Sequence, residues 1–471
     1  MSIPILKDNL SSLLGQKGWI NAEDSSTWQR DWLDKFGELP LGVARPSSTD
    51  EVSKVLSLCH EHRVHVVPQG GNTSLVGGSV LGSENGVILS LDRMNTILSL
   101  DEASASIALE AGVILEQLHQ FLEGTNLMFP MHLGSEGSAQ IGGLIATNAG
   151  GSHAFRFGMM QDMVLGLEVV LSDGRVWNGM RAVQKDNTGY QLRKLFCGSE
   201  GTLGVVTKAF LKLSPQPTHQ FTALVAVKSV SAMIELGKKL RLQAGEFLTA
   251  IEFFSDVGLD IALKNIPELI FPLQNRALFY VLIEAGSGSK KVPIDLILTE
   301  VMEWGIDQGI VIDGALAMSE AQRSAFWRLR EEQPEGQRRL GDQLKHDISV
   351  PQGQLIDFLD RANKLCDEIL RGVRINPFGH LGDGNIHYNL SPPKGSLDFS
   401  GFNKDFAVRL SELAVNMGGS FAAEHGIGRT KIDLADLLQD PLERNLMFHL
   451  KKAIDETNNL NPGVLVSTKN G

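Results

Sequence analysis

The chain has 471 residues, of which 42% are hydrophobic, so it is long enough for two or three domains with cores of their own. Its formal net charge of -12 argues against nucleic acid or an anionic membrane as a partner, and no apolar stretch is long enough to predict a membrane span. The three cysteines, Cys59, Cys197 and Cys366, form no CxxC pair, and the chain start lacks the pattern of a secretory leader, so we expect a cytoplasmic protein without a disulfide framework.

The first predicted elements are a helix, a strand and a glycine-rich loop. Residues 48–51, STDE, are typical of a capping box and predict a helix to about His62, and residues 64–67, VHVV, predict a short buried strand that ends at Pro68. The loop at 68–79, PQGGNTSLVGGS, combines glycines with hydroxyl and amide donors that suit phosphate oxygens. It is neither a Walker loop nor a GxGxxG turn that opens a helix, and the alternative is a plain surface loop.

Two further glycine-rich segments follow. Residues 132–151 carry small side chains with little core periodicity, and residues 187–207 contain Gly198, Gly201 and Gly204 before an apolar run. Between them, residues 165–177 predict a hairpin around a turn at Asp173 and Gly174. Three such segments suggest that the backbone packs against one elongated or flat ligand. After residues 214–217, SPQP, glycines become fewer, which predicts a domain boundary.

Two histidines stand symmetrically about a turn in residues 378–389, FGHLGDGNIHYN. Asp383 and Gly384 form a dipeptide favoured in a tight type I′ hairpin, and a hairpin centred there pairs His380 with His387. Directly opposed residues have Cβ atoms roughly 5 Å apart, so both imidazoles are predicted to reach one small cation. The alternative is a buried hairpin with incidental histidines.

A carboxylate beside a histidine in residues 420–428 supplies a candidate third ligand, Glu424. Three protein ligands leave a position open for substrate, which is the arrangement expected of a catalytic metal rather than a structural one. Mixed imidazole and carboxylate ligands suit Zn²⁺, and they are also compatible with Mn²⁺ or Fe²⁺.

Five motifs occur in order along the chain: PQGGNTSLVGGSV at 68–80, IGGLIATNAGG at 141–151, GSEGTLGVVT at 198–207, FGHLGDGNIHYNL at 378–390 and AAEHGIGRTK at 422–431. Together they resemble the flavoproteins of the vanillyl-alcohol oxidase and p-cresol methylhydroxylase superfamily, in the branch of the D-2-hydroxyacid dehydrogenases. The resemblance covers almost the whole chain. It implies an α+β fold with a PCMH-type FAD-binding domain of two α+β subdomains at 1–215, a substrate domain with an antiparallel sheet and flanking helices at 216–415, and a C-terminal segment at 416–471 that returns to the FAD site.

The resemblance implies that FAD is bound by the glycine-rich segments, with the pyrophosphate at 68–78 and the rest of the cofactor along 133–151 and 200–206. Some relatives tether the flavin through a histidine, but this loop has Asn72 and no histidine between Pro68 and Val80, so we expect noncovalent FAD. The implied cofactor contacts are Pro68, Gly70, Gly71, Asn72, Thr73, Ser74, Gly77, Gly78, Leu133, Gly134, Ser135, Ala139, Gly142, Gly143, Thr147, Asn148, Gly151, Glu200, Gly201, Gly204, Val205 and Val206.

For the reaction, the resemblance implies oxidation of a 2-hydroxy acid with hydride transfer to flavin N5. A metal held by His380, His387 and Glu424 would lower the pKa of the substrate hydroxyl. His425, which matches the family's base position, would accept the proton, with a positioning role as its alternative. Asn389 lies two residues beyond His387 and is expected to orient substrate or flavin from the same strand face.

Substrate charge is predicted from Arg330 and Lys345, which resemble the residues that hold the distal carboxylate in the hydroxyglutarate branch. The helix around Arg330 is rich in charge, so a solvent-facing side chain is its alternative, whereas Lys345 alternates with polar residues as expected for a strand that faces a polar site. Pro334 stands where the hydroxyglutarate enzymes carry a threonine, which removes one carboxylate contact from the family pattern.

The leading expectation is therefore an FAD- and metal-dependent dehydrogenase for a D-2-hydroxy acid, a dicarboxylate such as D-2-hydroxyglutarate or D-malate. D-lactate and glycolate dehydrogenases of the same family, a metal-dependent hydrolase and a noncatalytic FAD-binding subunit are the alternatives. Electron-transferring flavoprotein or a quinone is expected as the acceptor. Relatives suggest a homodimer, located in the mitochondrial matrix if the source is eukaryotic.

Overall fold

The computed structural model describes residues 3–83, 85–399 and 405–467, which fold into two compact units. Unit 1 consists of Met1–Gly151, Phe157–Pro215 and Glu424–Gly471, and unit 2 of Ser152–Arg156 and Gln216–Ala423. The sequence placed its domain boundaries after residues 215 and 415, and the units change after residues 215 and 423. Among the described residues, none of the helices is both long and apolar enough to cross a membrane.

The first part of unit 1 alternates short helices with strands. Its helices are α1 (Ile3–Gly18), α2 (Ser26–Gln29), α3 (Thr49–His62), α4 (Leu115–Leu122), α5 (Ile141–Ala146), α6 (Ala154–Phe157), which runs from unit 2 into unit 1, α7 (Met160–Met163) and α8 (Leu192–Phe196). Its strands are β1 (Trp19–Asn21), β2 (Gly42–Ala44), β3 (His65–Gln69), β4 (Gly86–Ser90), β5 (Ile97–Asp101), β6 (Ser106–Glu110), β7 (Leu127–Met128), β8 (Val164–Val170), β9 (Val176–Gly179), β10 (Val205–Lys212) and β11 (Ser214–Pro215).

Two sheets organise unit 1. One has the order β1-β2-β4-β3, in which β3 and β4 run parallel, and the other has the antiparallel order β5-β6-β10-β8-β9. The predicted helix after the capping residues is confirmed, because the Ser48 hydroxyl accepts a hydrogen bond from the N–H of Glu51 at the start of α3. The strand that follows runs through Pro68 to Gln69, beyond its predicted end. Its position at the edge of the sheet tolerates a residue that cannot donate a ladder hydrogen bond.

Unit 2 is built around one antiparallel sheet with the order β15-β12-β14-β13-β18-β19-β16. The strands are β12 (His219–Val227), β13 (Leu248–Ser255), β14 (Phe279–Ser287), β15 (Val311–Leu316), β16 (Asp347–Ser349), β17 (Arg374–Ile375), β18 (Phe378–His380), β19 (Asn385–His387) and β20 (Leu390–Ser391). The helices are α9 (Val230–Ala244), α10 (Asp256–Asn265), α11 (Ile294–Asp307), α12 (Glu320–Glu331), α13 (Gln333–Leu340), α14 (Leu355–Ile369) and α15 (Phe406–Asn416).

Both faces of this sheet are buried, and alternate residues of each strand contribute to different cores. Val225 and Phe253 pack in the core that includes α9, α11 and α14, whereas Leu224 and Phe254 pack in a second core with residues of α10 and α12. The face toward α12 also carries polar residues near one edge, and the candidate site lies there.

The histidine hairpin forms between β18 and β19, but its register differs from the prediction. His380 pairs with Asn385, and His387 pairs with Phe378. The turn has four residues, 381–384, and is closed by a hydrogen bond of 3.0 Å from Gly384 N–H to the His380 carbonyl, so the predicted two-residue turn with His380 opposite His387 is wrong. Because the two pairs are two residues apart, both histidines still lie on one face of the sheet, as diagonal neighbours.

The last segment, with α16 (Ile432–Leu438) and α17 (Pro441–Ile454), completes unit 1. Its end runs along the edge of β3 that does not pair with β4, where Val66 N–H donates to the Asn459 carbonyl and the Val66 carbonyl accepts from Asn461 N–H. Lys451 is buried and donates to the carbonyls of Thr202 and Leu460. These contacts fix the C-terminal segment against the glycine-rich loops of the same unit.

Candidate functional site

The loop after β3 presents unused backbone donors. Among the described residues, the N–H groups of Gly71, Asn72, Thr73 and Ser74 have no hydrogen-bond acceptor. Asn72 adopts a left-handed conformation with φ of 53°, and its side chain holds the loop by donating to the Arg30 carbonyl at 2.7 Å and accepting from the Ser79 hydroxyl at 2.7 Å. Consecutive free N–H groups at a turn form an anion-binding nest, so the loop fits a pyrophosphate.

The second glycine-rich segment lies directly against this loop. A Cβ on Gly71 would come within 1.9 Å of the Ser138 carbonyl oxygen, so only glycine allows the approach of the two segments. Gly134 and Gly143 differ, because a Cβ on either would meet no atom within 4 Å. The protein's own packing does not require glycine at these two positions, which leaves an open surface for a flat cofactor. Residues 141–146, for which no helix was predicted, form the short helix α5.

Other predicted cofactor contacts have structural roles that the sequence did not indicate. The buried Glu200 carboxylate accepts hydrogen bonds from the N–H groups of Ile427 at 2.9 Å and Gly428 at 2.8 Å, and burial raises its pKa despite these bonds. Val205 and Val206 lie in β10 and are buried. Ala139 and Gly142 pack in the interior, Gly142 against Ala111.

The remaining predicted contacts lie in the same loops of unit 1. Pro68 is in β3, and Gly201, with φ of 70°, packs near its ring. The others are Gly70, Gly77, Gly78, Leu133, Ser135, Thr147, Asn148, Gly151 and Gly204.

His380 and His387 are the central side chains of unit 2's candidate site. Their ring centroids are 5.7 Å apart, and ring nitrogens of the two residues lie within 4.8 Å of each other. His380 Nδ1 is 2.7 Å from Glu252 Oε1, and Glu252 lies opposite His380 on the neighbouring strand β13. A carboxylate that accepts the Nδ1 proton leaves Nε2 as the lone-pair nitrogen, which is the arrangement typical of metal-binding histidines. The donor set therefore fits a divalent metal.

Glu252 joins two of the predicted site residues. It is fully buried, and while one oxygen contacts His380, the other lies 2.9 Å from Arg330 Nε in an ion pair. Burial alone would raise the pKa of Glu252, but the charges of His380 and Arg330 outweigh it and lower the pKa. Sequence reasoning missed this residue, although a glutamate inside the apolar stretch of β13 is an unusual signal that marks a buried partner.

Arg330 does not face solvent, although α12 is rich in charge. Its side chain is 9% exposed, and its guanidinium stacks over the Phe378 ring at 4.7 Å. Among the described residues, no acceptor bonds to its two terminal nitrogens. A buried guanidinium with unused donors fits an anionic ligand.

The other predicted residues of unit 2 are Asn389 and Lys345. Asn389 lies between β19 and β20, and its side chain donates to Gln337 at 2.8 Å. Its N–H donates to the His387 carbonyl at 2.9 Å, and β19 ends at His387. Ile386, Tyr388 and Leu390 all pack in one core, so the alternation continues past the strand end, and the shared face of His387 and Asn389 stays a prediction. Lys345 is exposed and precedes β16 by two residues, outside the strand that its alternation predicted.

Asp347 is a second carboxylate behind the histidines. It pairs with His387 across β16 and β19, and its Oδ1 lies 3.8 Å from His387 Nδ1 while accepting from Asn385 Nδ2 at 3.0 Å. Ala423, the last residue of unit 2, donates its N–H to the Asp347 carbonyl at 3.4 Å. Glu424 and the half-buried His425 follow Ala423 directly in the chain and are the first residues of the last segment of unit 1.

A neighbouring buried network repeats the pattern of a glutamate with a histidine and an arginine. Glu284 accepts from Thr249 and Trp327 Nε1, contacts His153 at 3.1 Å and pairs with Arg323 at 3.2 Å. Burial would raise the pKa of Glu284, but the bond to and charge of His153, with the other donors, lower it to about 2. Because Arg323 and Arg330 are seven residues apart on α12, they lie on one face of the helix.

Comparison with known proteins identifies these loops and this sheet. The family described as FAD linked oxidases, C-terminal domain, matches residues 216–465, and the FAD binding domain family matches residues 40–179. The chain belongs to the FAD-linked oxidases. It is thus a flavoprotein oxidoreductase, and the predicted membership is confirmed.

Relatives and solved structures agree with this assignment. A D-2-hydroxyglutarate dehydrogenase of Stutzerimonas stutzeri is 33% identical, over 98% of this chain and 99% of that protein, and the mitochondrial enzyme of that name from Arabidopsis thaliana is 36% identical, over 96% and 79%. The crystal structure of p-cresol methylhydroxylase superposes with a TM-score of 0.78 over 99% of this chain and 98% of that one, at 16% identity. The predicted α+β fold of this superfamily is confirmed.

Proposed function

We propose that this flavoprotein is a metal-dependent dehydrogenase that oxidises the CH–OH group of a D-2-hydroxy acid, with the dicarboxylate D-2-hydroxyglutarate as its leading substrate. The observation that carries the proposal is the His380–His387 pair with Glu252 bonded behind it, in a chain of the FAD-linked oxidases. The names of the relatives support the substrate class.

Three residues are proposed to hold a divalent metal, Zn²⁺ first among the candidates. His380 and His387 are the imidazole ligands, and Glu424 is the third because it follows Ala423, which is bonded to the strand next to β19. When bound, the metal would lower the pKa of the substrate hydroxyl and FAD would accept hydride at N5. Glu252 keeps the Nδ1 proton of His380, and so presents Nε2 to the metal.

His425 is proposed to accept the hydroxyl proton. A neutral imidazole titrates near physiological pH, so it can take a proton in one step and release it to solvent in the next. Lys345 and Asn389 remain proposed substrate contacts, with Asn389 positioned by its bond to Gln337.

Arg330 is proposed to bind the distal carboxylate of the substrate. Its terminal nitrogens are available while Nε pairs with Glu252, so the same carboxylate fixes both the arginine and a metal ligand. A bidentate arginine contact would have no partner on a substrate whose side chain is only a methyl group, which favours a dicarboxylate over D-lactate. D-malate is also a dicarboxylate but has a shorter chain, so it is the second candidate substrate.

FAD is proposed to bind noncovalently, with its pyrophosphate on the N–H groups of residues 71–74 and the rest along 133–151 and 200–206. The open surfaces at Gly134 and Gly143 support this path. Electron-transferring flavoprotein or a quinone as acceptor, a homodimer and a cytoplasmic or mitochondrial-matrix location also remain proposals.

Steady-state kinetics with an artificial electron acceptor tests the proposal. D-2-hydroxyglutarate should bleach the flavin and give the highest kcat/KM, D-malate a lower value, and D-lactate a value about a hundredfold lower, since loss of a charged hydrogen bond costs about 1.5–3 kcal/mol. Arg330→Met should remove this preference, whereas Arg328→Met, an exposed arginine on the same helix, should keep it. Best turnover on D-lactate, unchanged by Arg330→Met, would contradict the dicarboxylate assignment, and a colourless protein would contradict the flavin chemistry.

A further inference from the structure

Outside the proposed catalytic residues, unit 1 holds a second group of metal-ligating side chains. His119 in α4, His132 and Glu136 each offer one ligand atom, and these atoms lie within 4.8 Å of one another. Glu136 Oε2 is 3.3 Å from His132 Nδ1 and 3.7 Å from His119 Nδ1, and the two imidazole centroids are 4.7 Å apart. Both rings thus direct a nitrogen toward the same carboxylate oxygen.

These separations suit ligands around an ion. A tetrahedral zinc with bonds of about 2.0–2.1 Å holds its ligand atoms about 3.4 Å apart, close to both distances from Glu136. A direct charge-assisted hydrogen bond between imidazolium and carboxylate is shorter, about 2.7–2.9 Å. The pKa of His119 is lowered, first by burial and next by the charge of His132, which favours the neutral ring that a metal requires.

The backbone holds the three side chains in place without a metal. Leu115, Leu118 and Leu122 pack in the core, and His119 lies beside Leu115 and Leu122 on the same side of α4, with its side chain 20% exposed. This packing fixes the position of His119. The N–H of Glu116 donates to the Glu136 carbonyl at 3.1 Å, so the loop that carries Glu136 is tied to the first turn of α4. Binding therefore orders few additional groups, and the entropic cost of forming the site is small.

We propose that His119, His132 and Glu136 form a second divalent-cation site, for zinc or a similar borderline transition metal, that joins α4 to the loop at 132–139. The remaining coordination positions face solvent, since the side chains of His132 and Glu136 are 43% and 38% exposed. The proposed role of this site is to stabilise the loop, in which the proposed FAD contacts Leu133, Gly134 and Ser135 lie between His132 and Glu136. The same loop continues into the second glycine-rich segment.

Zinc stoichiometry measured in a variant that lacks the proposed catalytic site tests this inference. The flavoprotein with His387→Ala is stripped with a chelator, desalted and titrated with ZnCl₂, with bound metal measured by mass spectrometry and heat. The His387→Ala variant should still bind about one zinc per chain. Adding His119→Ala or His132→Ala should weaken the affinity for this zinc at least about tenfold. His449→Ala, an exposed histidine in α17, is the matched control and should change nothing.

Two outcomes would overturn the site: no zinc bound in the His387→Ala background, or the same affinity after His119→Ala. Glu136→Gln keeps the shape and neutralises the carboxylate, so it tests the same ligand if an alanine variant does not fold. Flavin absorbance and melting temperature report folding in each case. Failure here leaves the proposed dehydrogenase activity untouched, because that activity is measured with His119→Ala in a chain that keeps His380 and His387.

Discussion

The chain contains two pairs of histidines near a carboxylate, and their surroundings differ. In unit 2, His380 and His387 have side chains 9% and 13% exposed, and Glu252 bonds to His380 from behind. In unit 1, the carboxylate of Glu136 lies between His119 and His132, and the His132 side chain is 43% exposed. The first arrangement fixes the tautomer of a proposed ligand before a metal arrives, whereas in the second the carboxylate is itself a proposed ligand.

This difference separates a site suited to catalysis from one suited to stability. A buried, pre-oriented imidazole loses little energy to reorganisation and acts in surroundings of low dielectric, where a metal's charge has a larger effect on a substrate. A partly exposed cluster can bind a metal, but water around it weakens the effect of the metal's charge on a substrate. We therefore expect substitutions in the two groups to affect different measurements.

The largest effect is expected from removal of a proposed ligand of the first group. His380→Ala or His387→Ala should lower metal-dependent kcat by roughly a thousandfold, because a Lewis acid supplies several kcal/mol of stabilisation and about 1.4 kcal/mol is a factor of ten. The visible flavin absorbance should stay, since the proposed FAD contacts lie in unit 1. Turnover is measured with and without added Zn²⁺, and His119→Ala serves as the control.

Equal losses of turnover in His119→Ala and His380→Ala would remove the functional distinction between the two groups. Activity that persists in chelator-treated protein would show instead that alcohol oxidation needs no metal.

The sequence predicted that His380 and His387 lie together better than it predicted their geometry. The motif around residues 378–390 identified both histidines, but it placed them directly opposite each other, because the dipeptide at 383–384 favours a two-residue turn. The chain closes a four-residue turn there, and local turn propensity does not report which carbonyl the turn will bond. The two histidines nevertheless lie on the same face of the sheet, because side chains alternate along a strand and a shift of two residues returns to the same face.

Contacts between the site residues and residues distant in sequence could not be predicted from local patterns. Glu252 is 128 positions before His380, and their contact depends on the pairing of β13 with β18, which no local pattern encodes. The orientation of Arg330 has the same origin: four other arginines surround it in sequence, and only the position of Glu252 and Phe378 on the sheet shows which one is buried. Glycine patterns did indicate the loops of unit 1, yet they did not distinguish Gly71, needed for packing, from Gly143, beside open space.

An intermediate effect is expected from the carboxylate behind His380. Glu252→Gln should weaken metal affinity by about 10–100-fold, because a neutral amide makes the imidazole a poorer ligand. Glu284→Gln is the matched control: Glu284 is also buried on the adjacent strand and also pairs with a histidine and an arginine, but His153 is not a proposed ligand. Competition with a chromophoric chelator measures the affinity, and the control variant separates the loss of the carboxylate from a general disturbance of the sheet.

If Glu284→Gln weakens the metal as much as Glu252→Gln does, the effect comes from disturbing the buried face of the sheet and not from orienting His380. A melting temperature that falls equally in both variants, with metal affinity lowered only in Glu252→Gln, is the expected pattern.

The smallest effect is expected at Asp347, which stands behind His387. Its Oδ1 is 3.8 Å from His387 Nδ1, beyond hydrogen-bond distance, and already accepts from Asn385. Asp347→Asn should therefore weaken metal affinity by less than about tenfold, below the lower limit expected for a bonded outer-shell carboxylate. The same chelator competition applies, with Glu252→Gln as the reference. An effect equal to that of Glu252→Gln would mean that both imidazoles depend on a charged partner, and that the 1.1 Å difference between the two contacts, 3.8 against 2.7 Å, closes when the metal binds.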